Sequence, residues 1–192
     1  GSGEELGSDS MGLSGILFLD GSCIPHYVPE LSRAAWAIVQ VSREGQVQKV
    51  VRGLVPRSLP QTAQAAEFVP YAAAHQLAQG PCELYVDCQA VATAAKQRQR
   101  EQLHPNKMYA GVLRWARGEQ GAKHIGQVHK TKAHRAFDAA EMADVEHWTA
   151  WGNDAADRNA KETVSFHPAP DQSTVDQLSG DVARIRQAAS VM

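Results

Sequence analysis

Apolar positions along the chain fall into two periods, and each marks an element. Ile16-Leu17-Phe18-Leu19 is an unbroken apolar run that closes on Asp20 and Gly21, which reads as a buried strand over Gly15 to Ser22. Cys23 to Ser32 carries two prolines and reads as a loop. Arg33 to Ser42, with Trp36, Ile38 and Val39, predicts a second strand. After Glu44-Gly45, the alternation of Val47, Val50, Val51 and Leu54 predicts a third over Gln46 to Val55. The short turn makes the three an antiparallel meander. Thr62 is a candidate N-cap for a helix running to Ala78. Pro70 lies inside it, so a kink there or a later start is expected. Gly80-Pro81 is read as the end of that helix. Cys82 to Asp87 is a short buried strand that again ends on an acid.

Helices are expected over Gln89 to Arg100 and Lys107 to Gly118, with a last strand over His124 to Lys132. Lys132 to Trp151 reads as a long polar stretch, followed by a helix over Asn153 to Glu162. Val164 to Asp171 holds two prolines and reads as a linker. In the final segment Ser173 and Asp176 have capping-box spacing. Val175, Leu178, Val182, Ile185 and Ala189 then form one apolar stripe. That helix either docks on its own domain or serves a partner, or a parent polyprotein. The whole is mixed α/β: a tail over 1–12 expected to be disordered, one domain over 13–163, and a linker with an amphipathic helix over 164–192.

Charge changes the picture locally. The chain has 192 residues and a net charge of −2, so it is no basic nucleic-acid binder overall. From Cys82 to Arg135, however, ten Lys/Arg face four Asp/Glu, a local +6, and the remainder is 9 − 17 = −8. A basic half beside acidic flanks suits a polyanion held on one face. Three cysteines, Cys23, Cys82 and Cys88, form no Cys-x-x-Cys pair. That argues against a disulfide framework and for a reducing, intracellular setting. No apolar run approaches a membrane span, and the N-terminus lacks a signal-peptide pattern. The sequence specifies no oligomeric state.

The chemistry rests on acids. Asp20 and Asp87 end strands, Glu67 lies near the start of a helix, and Asp157 lies on the helix after Gly152-Asn153. Strand ends on one edge of an α/β sheet face a common crevice. Carboxylates that meet there repel unless a cation compensates them. Without thiol or paired imidazole donors, such a set selects magnesium or manganese. Two such ions stabilise the attacking and leaving oxygens of a phosphoryl displacement.

Four stretches then carry a resemblance to type 1 ribonuclease H. Leu19-Asp20-Gly21-Ser22-Cys23 is similar to the family's first motif. Gln64-Ala65-Ala66-Glu67 stands where the family has its helix-borne Glu. Tyr85-Val86-Asp87-Cys88-Gln89 resembles its strand-ending Asp. Gly152-Asn153-Asp154-Ala155-Ala156-Asp157, followed by Arg158 and Ala160-Lys161, resembles its Gly-Asn-x-x-Ala-Asp signature. The match runs in order from Ile16 to Glu162.

The resemblance implies a ribonuclease H-like fold, a five-stranded mixed sheet (three antiparallel strands plus two further strands) flanked by helices. It implies cleavage of the RNA strand of RNA/DNA hybrids, leaving 5′-phosphate and 3′-hydroxyl ends. Asp20, Glu67, Asp87 and Asp157 would be the ligands of two magnesium ions, with manganese as a substitute. His134 would be a mobile histidine assisting proton transfer or product release, with His147 its competitor and His129 structural. Gly21, Ser22 and Glu67 would read the 2′-hydroxyl through main-chain groups. Gln89 would touch the RNA strand and Thr62 a DNA phosphate. Lys130, Lys132 and Arg135 are placed to meet other phosphates.

The chain also departs from the family. The loop Ile24 to Ser32 lacks the Gly/Asn-rich stretch that follows the first motif. The segment from His134 to Asp157 is longer and adds Asp138, Glu141, Asp144 and Glu146. The family's basic protrusion is not recognisable, and Lys96, Arg98, Arg100 and Lys107 stand in its region. The altered loop and the tails support an alternative to the nuclease, a non-catalytic module of the same fold that binds nucleic acid or protein, as inside a retroelement polyprotein. A third reading, a junction resolvase or exonuclease, has the Gly-Asn-x-x-Ala-Asp signature against it.

Overall fold

The fold was obtained as a computed structural model that describes residues 12–97, 101, 104, 108–116, 123–133 and 135–190. Its spine is β1 (Leu13–Ile24), extended by two residues at each end beyond the run that predicts it. Beside it run β2 (Arg33–Val41) and β3 (Val47–Leu54). Helix α1 (Ala63–Leu77) leads to β4 (Ala78–Val86) and α2 (Gln89–Lys96). Then come α3 (Ala110–Ala116), β5 (Ile125–Lys130), α4 (Val145–Ser165) and α5 (Gln172–Ser190). The five strands form one mixed sheet in the order β3-β2-β1-β4-β5. The β1–β2 and β2–β3 pairs are antiparallel, and the β1–β4 and β4–β5 pairs parallel.

Side chains alternate across a strand, so β1 feeds two cores. Leu13, Leu17 and Leu19 pack with α1, α2 and α3 residues such as Phe68, Val91 and Leu113. Ile16 and Phe18 pack on the other face with Trp148, Ala155 and Ala156 of α4. Phe18 stacks on Tyr85 with ring centroids 4.8 Å apart, and Trp148 meets both rings edge-on. Gly152 is where α4 crosses this cluster. A Cβ there would lie 2.3 Å from the Phe18 ring, so only glycine lets the helix approach.

Four expectations are corrected. Gly80-Pro81 does not end the helix, because α1 stops at Leu77 and the pair lies inside β4. The β1–β4 register jumps there, from Leu13↔Ala78 to Gly15↔Cys82. A proline that cannot donate to a ladder is tolerated at such an irregularity. The polar stretch up to Trp151 is shorter than expected, since α4 begins at Val145. Asp144 caps it, accepting from the Glu146 and His147 N–H groups at 2.8 and 3.2 Å. Between Trp148 and Val164 its buried face is mostly alanine and glycine with polar Asn153, Asp157 and Thr163, so the stripe has little hydrophobic contrast. The linker starts later than Val164, because α4 runs to Ser165. Finally, Ser173 and Asp176 do not form a capping box. Asp171 caps α5 by accepting from the Thr174 N–H at 2.9 Å, and Asp176 accepts from the Gln172 side chain.

Thr62 is the N-cap of α1, its hydroxyl accepting from the Ala65 N–H at 3.1 Å. Helix α1 therefore does not start late to avoid Pro70. Of the terminal stripe, Val175, Leu178 and Val182 are half-buried, and Ile185 is exposed. The Ser179 and Tyr27 hydroxyls hydrogen-bond, tying α5 to the loop after β1. Residues 1–11 of the expected 1–12 tail, together with Arg98, Arg100 and Lys107, lie outside the described residues.

Candidate metal centre

The register of β1 and β4 sets the site. Leu19 pairs with Val86, so the next residues, Asp20 within β1 and Asp87 just past the end of β4, stand side by side. By alternation both point to the face that carries Phe18, Tyr85 and α4. Glu67 comes from the opposite layer, in the second turn of α1. That crossing is possible because α1 lies hard against Gly21. A Cβ on Gly21 would be 2.5–2.6 Å from the backbone and Cβ of Ala66. The Ala66 carbonyl is also the one whose helical partner, four residues on, is Pro70, which has no N–H to give.

Asp20, Glu67 and Asp87 each offer an oxygen within 4.8 Å of the others. Asp20 is buried and accepts from the Gly21 N–H at 2.7 Å. Burial, then the Asp87 charge, pushes its carboxyl up to about 7, and the charge of Asp157 adds to the effect. Burial, then the charges of Asp20 and Asp87, pushes Glu67 up as well. Asp157 is buried on α4 and ion-paired to Lys161 at 2.7 Å. It therefore borders the cluster while its charge is partly answered from within the chain.

This donor set fits a hard divalent cation. It is all carboxylate oxygen, it comes from three elements that the sheet fixes, and its mutual repulsion is what such an ion relieves. The neighbouring Cys88 does not change this. Burial pushes its thiol up, and it is not part of the grouped donor set.

A prototype foamy virus protease–reverse transcriptase matches with a TM-score of 0.58 and 20% identity, over 88% of this chain and 23% of that one. The prototype foamy virus RNase H domain in solution matches at 0.54 and 20% identity, over 78% and 93% of the two chains. LC9-RNase H1, a type 1 RNase H with the type 2 active-site motif, matches at 0.54 and 12% identity, over 94% and 86%. The fold is that of ribonuclease H. The chain spans about a quarter of the protease–reverse transcriptase it resembles, and nearly the whole of an isolated RNase H domain. No protein-family model and no curated protein sequence matches it.

Within the ribonuclease H fold the other expected site residues scatter. Gly21 and Ser22 follow Asp20 on β1. The Thr62 hydroxyl is shared between its cap and the Tyr109 hydroxyl, at 3.3 Å. Gln89 opens α2 and donates to Thr93 at 3.1 Å, beside a cavity of about 520 Å³ lined by Phe68 and Tyr109. Lys130 ends β5 and Lys132 lies just beyond it, exposed. Arg135 pairs with Glu146 at 2.8 Å. His134 lies outside the described residues. Its competitor His147 has both ring nitrogens engaged, Nδ1 accepting from the Asp138 N–H at 2.8 Å and Nε2 against Glu141 at 2.9 Å. His129 stacks on Tyr85 at 4.6 Å, beside the aromatic cluster.

One residue beside the site was quoted in the signature but given no role. Asn153 is buried on α4. It accepts from the Thr131 hydroxyl at 3.1 Å, and its Nδ2 approaches Asp87 at 3.4 Å. It thus ties the end of β5 and the Asp87 carboxylate to the helix that carries Asp157. An amide four residues before an acid of the candidate set is the sequence signal that marks it. Asn153→Ala leaves the Thr131 hydroxyl without its acceptor, a cost of roughly 1–3 kcal/mol. Divalent-ion affinity is expected to fall about 10- to 100-fold, as for other groups that orient a ligand. Calorimetric titration of magnesium into the wild type and variant measures this.

Proposed function

We propose that the chain is a metal-dependent nuclease that hydrolyses the RNA strand of RNA/DNA hybrids, leaving 5′-phosphate and 3′-hydroxyl ends. The observation that carries the reading is the meeting of three carboxylates from β1, α1 and the end of β4 within 4.8 Å. Asp20, Glu67, Asp87 and Asp157 would hold two magnesium ions, with manganese as a substitute. The ions would supply a hydroxide-like nucleophile at neutral pH and charge stabilisation for the displaced oxygen.

The protein's own part is positional. The β1–β4 register holds Asp20 and Asp87, Gly21 admits Glu67, and Asn153 braces Asp87. Lys161 answers the charge of Asp157. Lys130 and Lys132, beyond the ion pairs of this region, would meet phosphates, and His134 would move a proton from its loop. Related folds make the substrate reasonable. The foamy viral protease–reverse transcriptase has been solved in complex with an RNA/DNA hybrid and with dsDNA. Substrate grip through exposed cations makes affinity steeply salt dependent.

The alternative is a non-catalytic binding module of the same fold, within a longer polyprotein or with a partner on α5. It draws on Asp157 being engaged by Lys161 and on Arg135 being paired to Glu146. Among the described residues no helix is long and apolar enough to cross a membrane.

The test is an end-labelled RNA/DNA hybrid incubated with and without magnesium, beside duplex DNA and duplex RNA. Magnesium-dependent cutting confined to the RNA of the hybrid is expected. A folded protein that leaves the hybrid intact, and takes up no magnesium in calorimetry with hybrid present, sinks the nuclease reading and favours the module. Preferential cutting of DNA-only substrates moves the activity to another nuclease class.

A further inference from the structure

The sheet has an edge that the carboxylate cluster does not use. Among the described residues β3 is the outermost strand on one side. The Val55 N–H donates to the Ala34 carbonyl at 2.9 Å, and the β2–β3 register runs on from there through Leu54↔Ala35 and Gly53↔Trp36. Bonded residues alternate along an antiparallel ladder. Lys49, Val51 and Gly53 therefore turn their N–H and C=O groups to β2, while Val50, Arg52 and Leu54 turn theirs outward.

Strand edges are ordinarily blunted by free charges, prolines or bulges. The two cations of β3 do not guard this one, because both are engaged within the chain. Lys49 donates to the Gly12 carbonyl at 2.5 Å. Arg52 pairs with Glu162 at 2.5 Å, and its guanidinium lies 5.3 Å from the centre of the Phe166 ring. The blunting sits at the two ends of the strand instead. At one end the pairing with β2 steps from Lys49 to Val47, which makes Gln48 a bulge. At the other the Trp36 indole passes over Gly53 and donates to the Leu54 carbonyl at 3.3 Å. Between them lies an open row whose outward groups are those of Val50 and Arg52. Val50, Leu54 and Phe166 are exposed beside it, so the row has an apolar margin.

This open row is symmetric about Val51. Two copies laid antiparallel, with Val51 opposite Val51, set Val50 of each against Arg52 of the other. Each of these pairs exchanges both of its N–H···O bonds, so every open group between the bulge and the Trp36 cap is used. The register also keeps like charges apart, with Arg52 facing Val50 and Lys49 facing Gly53. Centring on Val50 would set Arg52 against the bulged Gln48. Centring on Arg52 would set the two guanidiniums against each other, which is unfavourable. We propose that β3 is a self-pairing edge, on which a second copy of this chain adds its own β3 and the two five-stranded sheets become one. The contact is smaller than a standard interface of about 1,600 Å², so association is expected on the order of 10–100 µM chain.

The test is sedimentation equilibrium of the full chain from well below to well above that range, with amide hydrogen exchange followed by NMR. Exchange at the Val50 and Arg52 N–H groups is expected to slow as concentration rises. Val50→Lys sets a cation against Arg52 of the other copy and should weaken the dimer at least about tenfold. Val50→Glu sets a carboxylate at the same place and should keep the dimer as tight as the wild type or tighter. Both change an exposed side chain, and near-UV circular dichroism checks that each variant is folded. Ile185→Lys, on the exposed half of α5, should leave the dimer unchanged. A chain that stays monomeric throughout overturns the proposal, even where its edge takes up an unrelated extended peptide. Equal weakening by Val50→Lys and Val50→Glu also overturns it, since charge then does not read the Val50–Arg52 pair. So does a dimer that only Ile185→Lys disrupts, which moves the contact to α5.

Discussion

Asp87→Asn is expected to abolish magnesium-dependent cleavage while leaving the metal-free protein as stable as the wild type, or more so. Asp87 is one of three carboxylates within 4.8 Å, so the change removes a carboxylate oxygen and a charge together. Metal-assisted stabilisation of a displacement is worth several kcal/mol, so activity should fall by roughly a thousandfold or more. The stability side follows from the same crowding. The Asp20 carboxyl is raised to about 7 by burial first and by the Asp87 charge second. An acid with a raised folded-state value binds more protons folded than unfolded, so stability falls as pH rises. For Asp20 the loss runs from the ordinary carboxylate value near 4 up to about 7. Asparagine at position 87 removes part of the cause and should recover about 1 kcal/mol above pH 7. It also keeps an oxygen for the Asn153 amide, whose 3.4 Å contact is long. Urea midpoints at pH 5 and pH 7.5 in chelator measure the effect. A clear loss of metal-free stability at both pH values would mean that Asp87 braces the fold rather than loading the site.

The parts of this fold that were legible are those where one chemical feature decides. Ile16 to Leu19 is apolar on both faces because β1 is central and feeds two cores. Asp20 and Asp87 closing two apolar runs implied a meeting point, and the β1–β4 register supplies it, although only Asp87 follows a strand end and β1 runs on to Ile24. Thr62 could be read as a cap because its hydroxyl acts on its own backbone three residues on. What was missed depends on the other side of a contact. The first two turns of α4 read as polar because Glu146, His147 and Thr149 flank the buried Trp148, and the rest of the packing face uses Gly152, Ala155 and Ala156, which carry little hydrophobic signal. Their value is close approach to Phe18. Gly80-Pro81 reads as a helix stop unless the β1–β4 irregularity that tolerates it is known. Asp171 outcompetes Ser173 as a cap by two residues of phase, which composition does not set. The interactions of Asn153 belong to this second kind, since they are defined by partners far away in sequence.

The steepest structural dependence in the molecule falls on Gly21. Gly21→Ala is expected to cost about 3 kcal/mol or more and to lose divalent-ion binding even where the protein still folds. The added methyl would stand 2.5–2.6 Å from the carbonyl carbon, oxygen and Cβ of Ala66. Two of those three atoms are backbone, so no rotamer change can absorb the clash. Overpacking of this kind costs roughly 1–3 kcal/mol and more where backbone must move. The movement has a defined consequence. Helix α1 carries Glu67 next to Ala66, and Glu67 reaches Asp20 and Asp87 only because α1 lies against β1 at Gly21. Lifting the helix takes Glu67 out of the 4.8 Å group and exposes the buried Asp20 to water. Chemical denaturation gives the stability loss, and magnesium calorimetry under conditions where the variant is folded gives the site. Retained magnesium affinity in a folded Gly21→Ala protein would show that the cluster tolerates a displaced α1, and the close approach would then serve packing alone. The companion Gly152→Ala clashes with Phe18 at 2.3 Å on the other face. It provides the contrast, since it strains α4 and the aromatic cluster without standing between Glu67 and its partners.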